Sequence, residues 1–148
     1  MLHSTDARRG SAAIELVLVL PLLLILLSGT VEIGLAAMQA IRAQSAAEAG
    51  GIYAAANGVT NLAAIQTAVL SATSAAGVTA PSPVVYCGCP SASGIAAQGS
   101  DCSTVCADGK VPGKYVTVTA VVPHTTVLPY LNLPLPAQFT GTAVVRVQ

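Results

Sequence analysis

The chain has 148 residues, zero formal net charge and only 8% charged residues, where ordinary soluble domains carry roughly 25%. The balance excludes a basic nucleic-acid surface. With no Trp and one Phe it also argues against a large aromatic core, leaving room for one small domain beside a membrane segment.

Arg8, Arg9 and Gly10 precede Ser11-Ala12-Ala13-Ile14-Glu15, which runs into a leucine-rich stretch broken by Pro21. Residues 16–31 carry no charge. As a helix they rise about 24 Å, short of a hydrocarbon core of roughly 30 Å. Extension back to Ser11 gives about 32 Å and takes Glu15 into the helix; extension forward past Glu32 to Ala40 also reaches. At least one glutamate therefore lies at or within the membrane boundary. An acid at mid-membrane costs on the order of 3 kcal/mol, less near an edge, and such residues usually have a partner and a function. Otherwise Glu15 and Glu32 simply mark the two interfaces. Arg8 and Arg9 place the N-terminus in the cytoplasm by the positive-inside rule, with the rest outside. Three readings of the start compete: a signal peptide cut near Leu35-Ala36-Ala37, an uncleaved anchor, and a short leader cut after Gly10. The apolar run exceeds the h-region of a signal peptide and continues helically, which favours a retained helix.

Pro21 is expected to kink the helix or open its hydrogen-bond ladder, unless it is merely a tolerated membrane proline. Past the apolar run the pattern stays helical but turns Ala-rich, with Gln39, Arg42, Gln44 and Glu48 interspersed. Such a stretch suits packing against other helices through small residues, with Gly29, Gly34, Gly50 and Gly51 permitting close approach. Asn57-Gly58 ends this stalk.

The glycine at 10, the acid at 15, Leu20-Pro21 and Gly29-Thr30-Val31-Glu32-Ile33-Gly34 together resemble the TadE-like family, pseudopilins (minor pilins) of the tight-adherence, Tad or type IVc-like, pilus system. The resemblance covers residues 8–58; Leu16 stands where the family commonly has an aromatic. It implies that an inner-membrane prepilin peptidase cuts between Gly10 and Ser11. Ser11 then becomes the new N-terminus and Glu15 the fifth mature residue. It implies as partners the peptidase, other pseudopilins, the major pilin and the inner-membrane assembly platform. The implied protein is single-pass in the bacterial inner membrane with a periplasmic head, and the resemblance also allows its incorporation in an extracellular pilus. In a filament of packed stalks the Glu15 carboxylate would meet a Ser11 amine of its own or a neighbouring chain, since pairing relieves two charges in an apolar medium. Glu32 joins Glu15 as a candidate for assembly and register.

After the leader (1–10) and the helix and stalk (11–58), residues 59–148 read as an α+β head. Asn61 caps a short helix from Leu62 to Ser74, stopped by Gly77, with Leu62, Ile65, Val69 and Leu70 on one face. Three strands are predicted. The first is Val84 to Cys89, and the second is Lys114 to Val122, where Tyr115, Thr117 and Thr119 alternate with Val116, Val118 and Ala120. The third is Phe139 to Val147. They make an antiparallel sheet of about three strands. Pro123 to Pro136 must loop between the last two strands. That loop holds Leu128, Tyr130, Leu131, Leu133 and Leu135, a patch set either to meet a neighbouring subunit or membrane, or to fold over the sheet.

Cys87, Cys89, Cys102 and Cys106 flank a Gly/Ser-rich loop. Four cysteines suit zinc, but a periplasmic head lies in an oxidising compartment, where disulfides persist. Bridging Cys87 to Cys89 would be strained, so the expected pairs join the first couple to the second. Both Cys87–Cys106 with Cys89–Cys102 and the crossed alternative remain open. Asp101 and Asp108 read as turn residues in a Gly-rich loop. No nucleophile motif surrounds any serine, so no catalytic residue, metal or cofactor is assigned. The function expected is a pilus-assembly pseudopilin. The alternatives are a signal-anchored periplasmic adhesin or cell-envelope binding module with no filament role and, given free thiols, a cysteine enzyme.

Overall fold

The computed structural model describes residues 6–92, 94–128 and 133–147, with side chains from residue 13 onward. Tyr130 and Leu131 of the predicted loop patch lie outside the described residues, as do the first five residues of the predicted leader. Helix α1 runs Asp6–Asn57, with Pro21 inside it, and helix α2 runs Leu62–Ser71. Strands β1 (Val84–Ser91), β2 (Gly94–Ala97), β3 (Gly113–Pro123) and β4 (Gln138–Val147) form an antiparallel sheet in the order β2-β1-β3-β4. The chain divides into two compact units, Met1–Ala37 with Thr125–Leu135, and Met38–His124 with Pro136–Gln148.

The second unit holds the core. β3 places Val116, Val118, Ala120 and Val122 inward, as its alternation predicts. β4 adds Ala143 and Val147, and α2 adds Ile65 and Val69. The opposite wall is the last five turns of α1, through Ala46, Ala47 and Ala54. Small residues there let the helix lie close to the sheet. A Cβ on Gly50 would sit 2.8 Å from Val118 Cγ1 and against Val69, and one on Gly51 would sit 3.1 Å from Val145 Cγ1. The closest approach is at Gly141 of β4, where a Cβ would run into the backbone of Ala43. A glycine inside a strand at such a point is what close backbone contact requires.

Local signals fix the ends of the helices. Gly58 adopts φ +75° just past α1 and donates its N–H to Ala54 O at 2.8 Å, a glycine stop for the helix. Asn61 Oδ1 accepts from Ala64 N at 3.1 Å, capping α2 as predicted. α2 ends at Ser71, three residues before the predicted end, and Ala72 serves as its C-cap. Gly77 sits in a later turn at φ +72°. Leu70 is exposed and does not share the buried face of Ile65 and Val69.

The sheet has one strand more than the sequence suggests. β2 pairs with the free edge of β1 through Gly88↔Ala97, Cys89↔Ala96, Pro90↔Ile95 and Ser91↔Gly94. All four of its residues are exposed, and Gly94-Ile95-Ala96-Ala97 contains one β-branched side chain, so neither alternation nor propensity marks it. Its strand character comes from the ladder of its neighbour.

Candidate functional site

The first unit presents a long bare apolar surface. From Ile14 to Leu27 every large aliphatic side chain of α1 is between 47% and 71% exposed. Glu15 lies in this stretch, exposed, and has no hydrogen-bond or ion-pair partner among the described residues. Gly10 and Ser11 lie within the helical backbone of α1, and the Ser11 side chain lies outside the described residues. Gly29 and Gly34 have nothing within 4 Å of where a Cβ would stand. This face of the helix is open to another helix or to lipid. α1 is long and apolar enough to cross a membrane.

Glu32 differs from Glu15 in burial and in partners. It is 1% exposed, and its two carboxylate oxygens accept the backbone N–H of Val127 at 3.1 and 3.2 Å. The β3–β4 connection, residues 124–137, is far longer than the usual 2–5 residues of a hairpin loop. Its backbone docks on Glu32, a contact that neither alternative for the predicted patch names.

Along the part of α1 in the second unit, polar side chains do structural work at two points. Gln39 Oε1 lies 2.7 Å from His124 Nδ1, and the His124 ring meets Phe139 edge-on, with centroids 5.5 Å apart. Gln44 accepts from Thr142 N–H at 3.2 Å through Oε1 and donates to Thr142 O at 3.3 Å through Nε2. Its side-chain amide thus occupies one rung on the outer edge of β4, as a neighbouring strand would. Covering an edge in this way limits edge-to-edge pairing. The Ala-rich stalk, read from sequence as a surface for other helices, is thereby corrected over residues 43–54. Its small residues are buried against the chain's own strands and α2.

Cys87 is bonded to Cys102 and Cys89 to Cys106, with Cα–Cα distances of 5.2 and 5.7 Å. The bonds join the first couple to the second in the crossed arrangement. Cys87 and Cys89 are alternate positions of β1, both buried, so both bonds staple the Gly/Ser-rich loop to one strand. Asp101 accepts from Ser103 N–H and Oγ–H, and Asp108 accepts from Lys110 N–H at 3.1 Å. Both carboxylates close their own turns. The Lys110 N–H and the Lys110 ammonium hold the Asp108 carboxyl below its usual 3.8. Beside this turn a cavity of about 230 Å³ is lined by Asp108, Lys110, Tyr115 and Arg146 among others. Among the described residues no three His, Cys, Asp or Glu side chains converge to hold a metal ion.

Gln39, Gln44, His124 and Gly141 carry contacts that the sequence reading did not assign. A signal existed for two of them. Gly141 interrupts an otherwise regular strand, and Gln44 stands among alanines where a solvated helix face would favour charges.

Comparison with known proteins adds one finding. Residues 10–51 match the family model described as TadE-like protein. No curated protein and no solved structure matches the chain. The match starts at Gly10, takes in the bare apolar stretch with both glutamates, and ends at Gly51 where the helix meets β4; the head lies beyond it. Residues 10–51 are thus a segment similar to the TadE-like family.

Proposed function

We propose that the chain is a membrane-anchored pseudopilin, cut between Gly10 and Ser11 by a prepilin peptidase and assembling through the bare part of α1. The observation that carries this is the exposure of every large aliphatic residue from Ile14 to Leu27 within a segment that matches the TadE-like family. A continuous apolar surface of that size needs lipid or other helices around it. Lipid serves while the protein waits in the inner membrane with its head in the periplasm. Sister pseudopilins and the major pilin replace it when the assembly platform adds the subunit to a filament.

Glu15 fits both settings. Near the membrane edge its charge is tolerable; among packed helices it needs a partner. Cleavage after Gly10 creates an amine at Ser11, four residues from Glu15 and so about 6 Å along the helix axis. The two charges cancel within one chain or between neighbours, and a pair between neighbours sets their axial register. Glu32 has a different task, because its carboxylate already holds Val127 of the same chain. Register is therefore assigned to Glu15 alone.

The test is co-expression of the full chain with its prepilin peptidase, followed by N-terminal sequencing of the membrane-extracted product. The expected first residue is Ser11. A product starting at Met1, or after Ala37, would overturn the processing step. Glu15→Gln is expected to be cleaved normally and to lose assembly in a pilus-complementation assay. Assembly at the parental level would remove the charge-pairing role.

A further inference from the structure

We infer that the two flanks of the β3–β4 loop, Val127-Leu128 and Leu133 to Leu135, seat in the lipid at the outer boundary of the bilayer, held at that depth by Glu32. The inference rests on the membrane-anchor reading and adds a second point of contact with lipid.

Depth comes first. Glu15 and Glu32 are seventeen residues apart on one helix, a rise of about 26 Å against a hydrocarbon core of roughly 30 Å. A span that keeps Glu15 at one edge therefore brings Glu32 to the other. Val127 N lies within 3.2 Å of the Glu32 carboxylate, which sets the loop backbone at the same level.

Chemistry comes second. No Asp, Glu, Lys or Arg occurs between Lys114 and Arg146, so nothing in the loop resists the boundary region by charge. Val127 is 62% exposed, and Leu128, Leu133 and Leu135 are only half-buried. Their apolar surface is continuous in depth with that of α1, which the same lipid surrounds. Nor does the polar backbone of the loop enter lipid unpaired at its point of attachment, since Glu32 takes the Val127 N–H. A carboxylate 1% exposed at a membrane edge is thereby explained: the loop covers it, and it anchors the loop.

The absence of tryptophan from the chain supplies the test. Full-length protein with Leu20→Trp or Val127→Trp is reconstituted into phosphatidylcholine vesicles, with ordinary or brominated acyl chains. Iodide serves as the aqueous quencher, and N-acetyltryptophanamide as the fully exposed reference. Both variants are expected to lose emission in brominated lipid. The Val127→Trp signal is expected to be less open to iodide than the reference. Adding Glu32→Ala to Val127→Trp is expected to reduce quenching by bromine and raise quenching by iodide. Loss of emission for Leu20→Trp but not for Val127→Trp overturns the inference and leaves the anchor standing. No loss for either overturns both. A Val127→Trp signal shielded from bromine and iodide alike means protein contact in place of lipid, and also overturns it. A response unchanged by Glu32→Ala removes Glu32 as the anchor.

Discussion

The two parts of α1 invert the usual rule for which residues face inward. Between Ile14 and Leu27 the large aliphatic side chains point outward. Between Ala43 and Ala54 the buried residues are alanines and glycines. One continuous helix serves two solvents. In lipid or among other helices, large apolar groups on the outside have nothing to avoid. Against its own sheet the helix gains from the approach of its backbone, and only small side chains allow that approach. Low amphipathicity in a helix of this kind therefore signals two environments in series and not a weak helix.

The largest test of this contrast is Gly141→Val. Its Cβ runs into the Ala43 backbone, so the strand or the helix must shift to admit it. A loss of about 3 kcal/mol or more is expected, read from denaturant unfolding of the full chain in detergent and followed by the near-UV signal of the tyrosines. Gly34→Ala is the counterpart in the bare part. Nothing lies within 4 Å of the added methyl, and helix propensity alone predicts a gain of up to about 1 kcal/mol. If the two glycines responded alike, the division of α1 into a packed and an open part would be wrong.

A second pair separates the two environments by deletion. Ile65→Ala empties a fully buried site and is expected to cost about 2–5 kcal/mol of head stability. Ile25→Ala removes the same atoms from a side chain 54% exposed, and is expected to stay within about 0.5 kcal/mol in the same unfolding measurement. Its effect should surface instead in membrane retention or filament assembly.

What the sequence makes legible follows the same division. β3 is plain because a half-buried strand writes its two faces as alternation, and Val116, Val118 and Ala120 fall inside where the period puts them. Asn61 is plain because capping is local chemistry. The apolar run and Gly10–Glu15 spacing are equally local, and the family match covers the same residues. The missing information is tertiary. β2 is a strand only because β1 offers an edge, and Gln44 reaches Thr142 across 98 residues. Gly50 and Gly51 signalled close approach correctly, while Gly29 and Gly34 meet nothing within 4 Å, and a one-dimensional pattern does not say whether the approaching partner is a neighbour's helix or the chain's own strand. The disulfide partners were underdetermined for the same reason: Cys87 and Cys89 are equivalent until the fold of the loop 98–112 is known.

The two disulfides give the head a third kind of stabilisation, absent from the bare helix. Cys87→Ala with Cys102→Ala opens a loop with a sequence separation of 15. A closure of that length is worth about 3 kcal/mol in the chain-entropy account. Alanine is the right replacement at Cys87, which is 1% exposed, because a serine hydroxyl would need a partner there. The same unfolding experiment is expected to show the loss in the head and no change in the lipid quenching of a Leu20→Trp reporter.

The smallest effect lies in the same stapled loop. Asp108 is exposed, yet the Lys110 N–H and ammonium keep its carboxyl below 3.8. A carboxyl whose folded value is depressed contributes stability that is complete above its unfolded value and is lost as the pH falls through its folded value. The contribution is therefore intact at neutral pH and disappears only below about pH 4. Solvent around the pair keeps it small. Asp108→Asn retains an oxygen for the Lys110 N–H and removes the charge. It is expected to flatten the acid limb of head stability measured from pH 6 down to pH 2, an order-of-magnitude window about the usual carboxylate range. A limb as steep in Asp108→Asn as in the parent would remove Asp108 as a source of the acid sensitivity, and with it this pair as a contributor to the head.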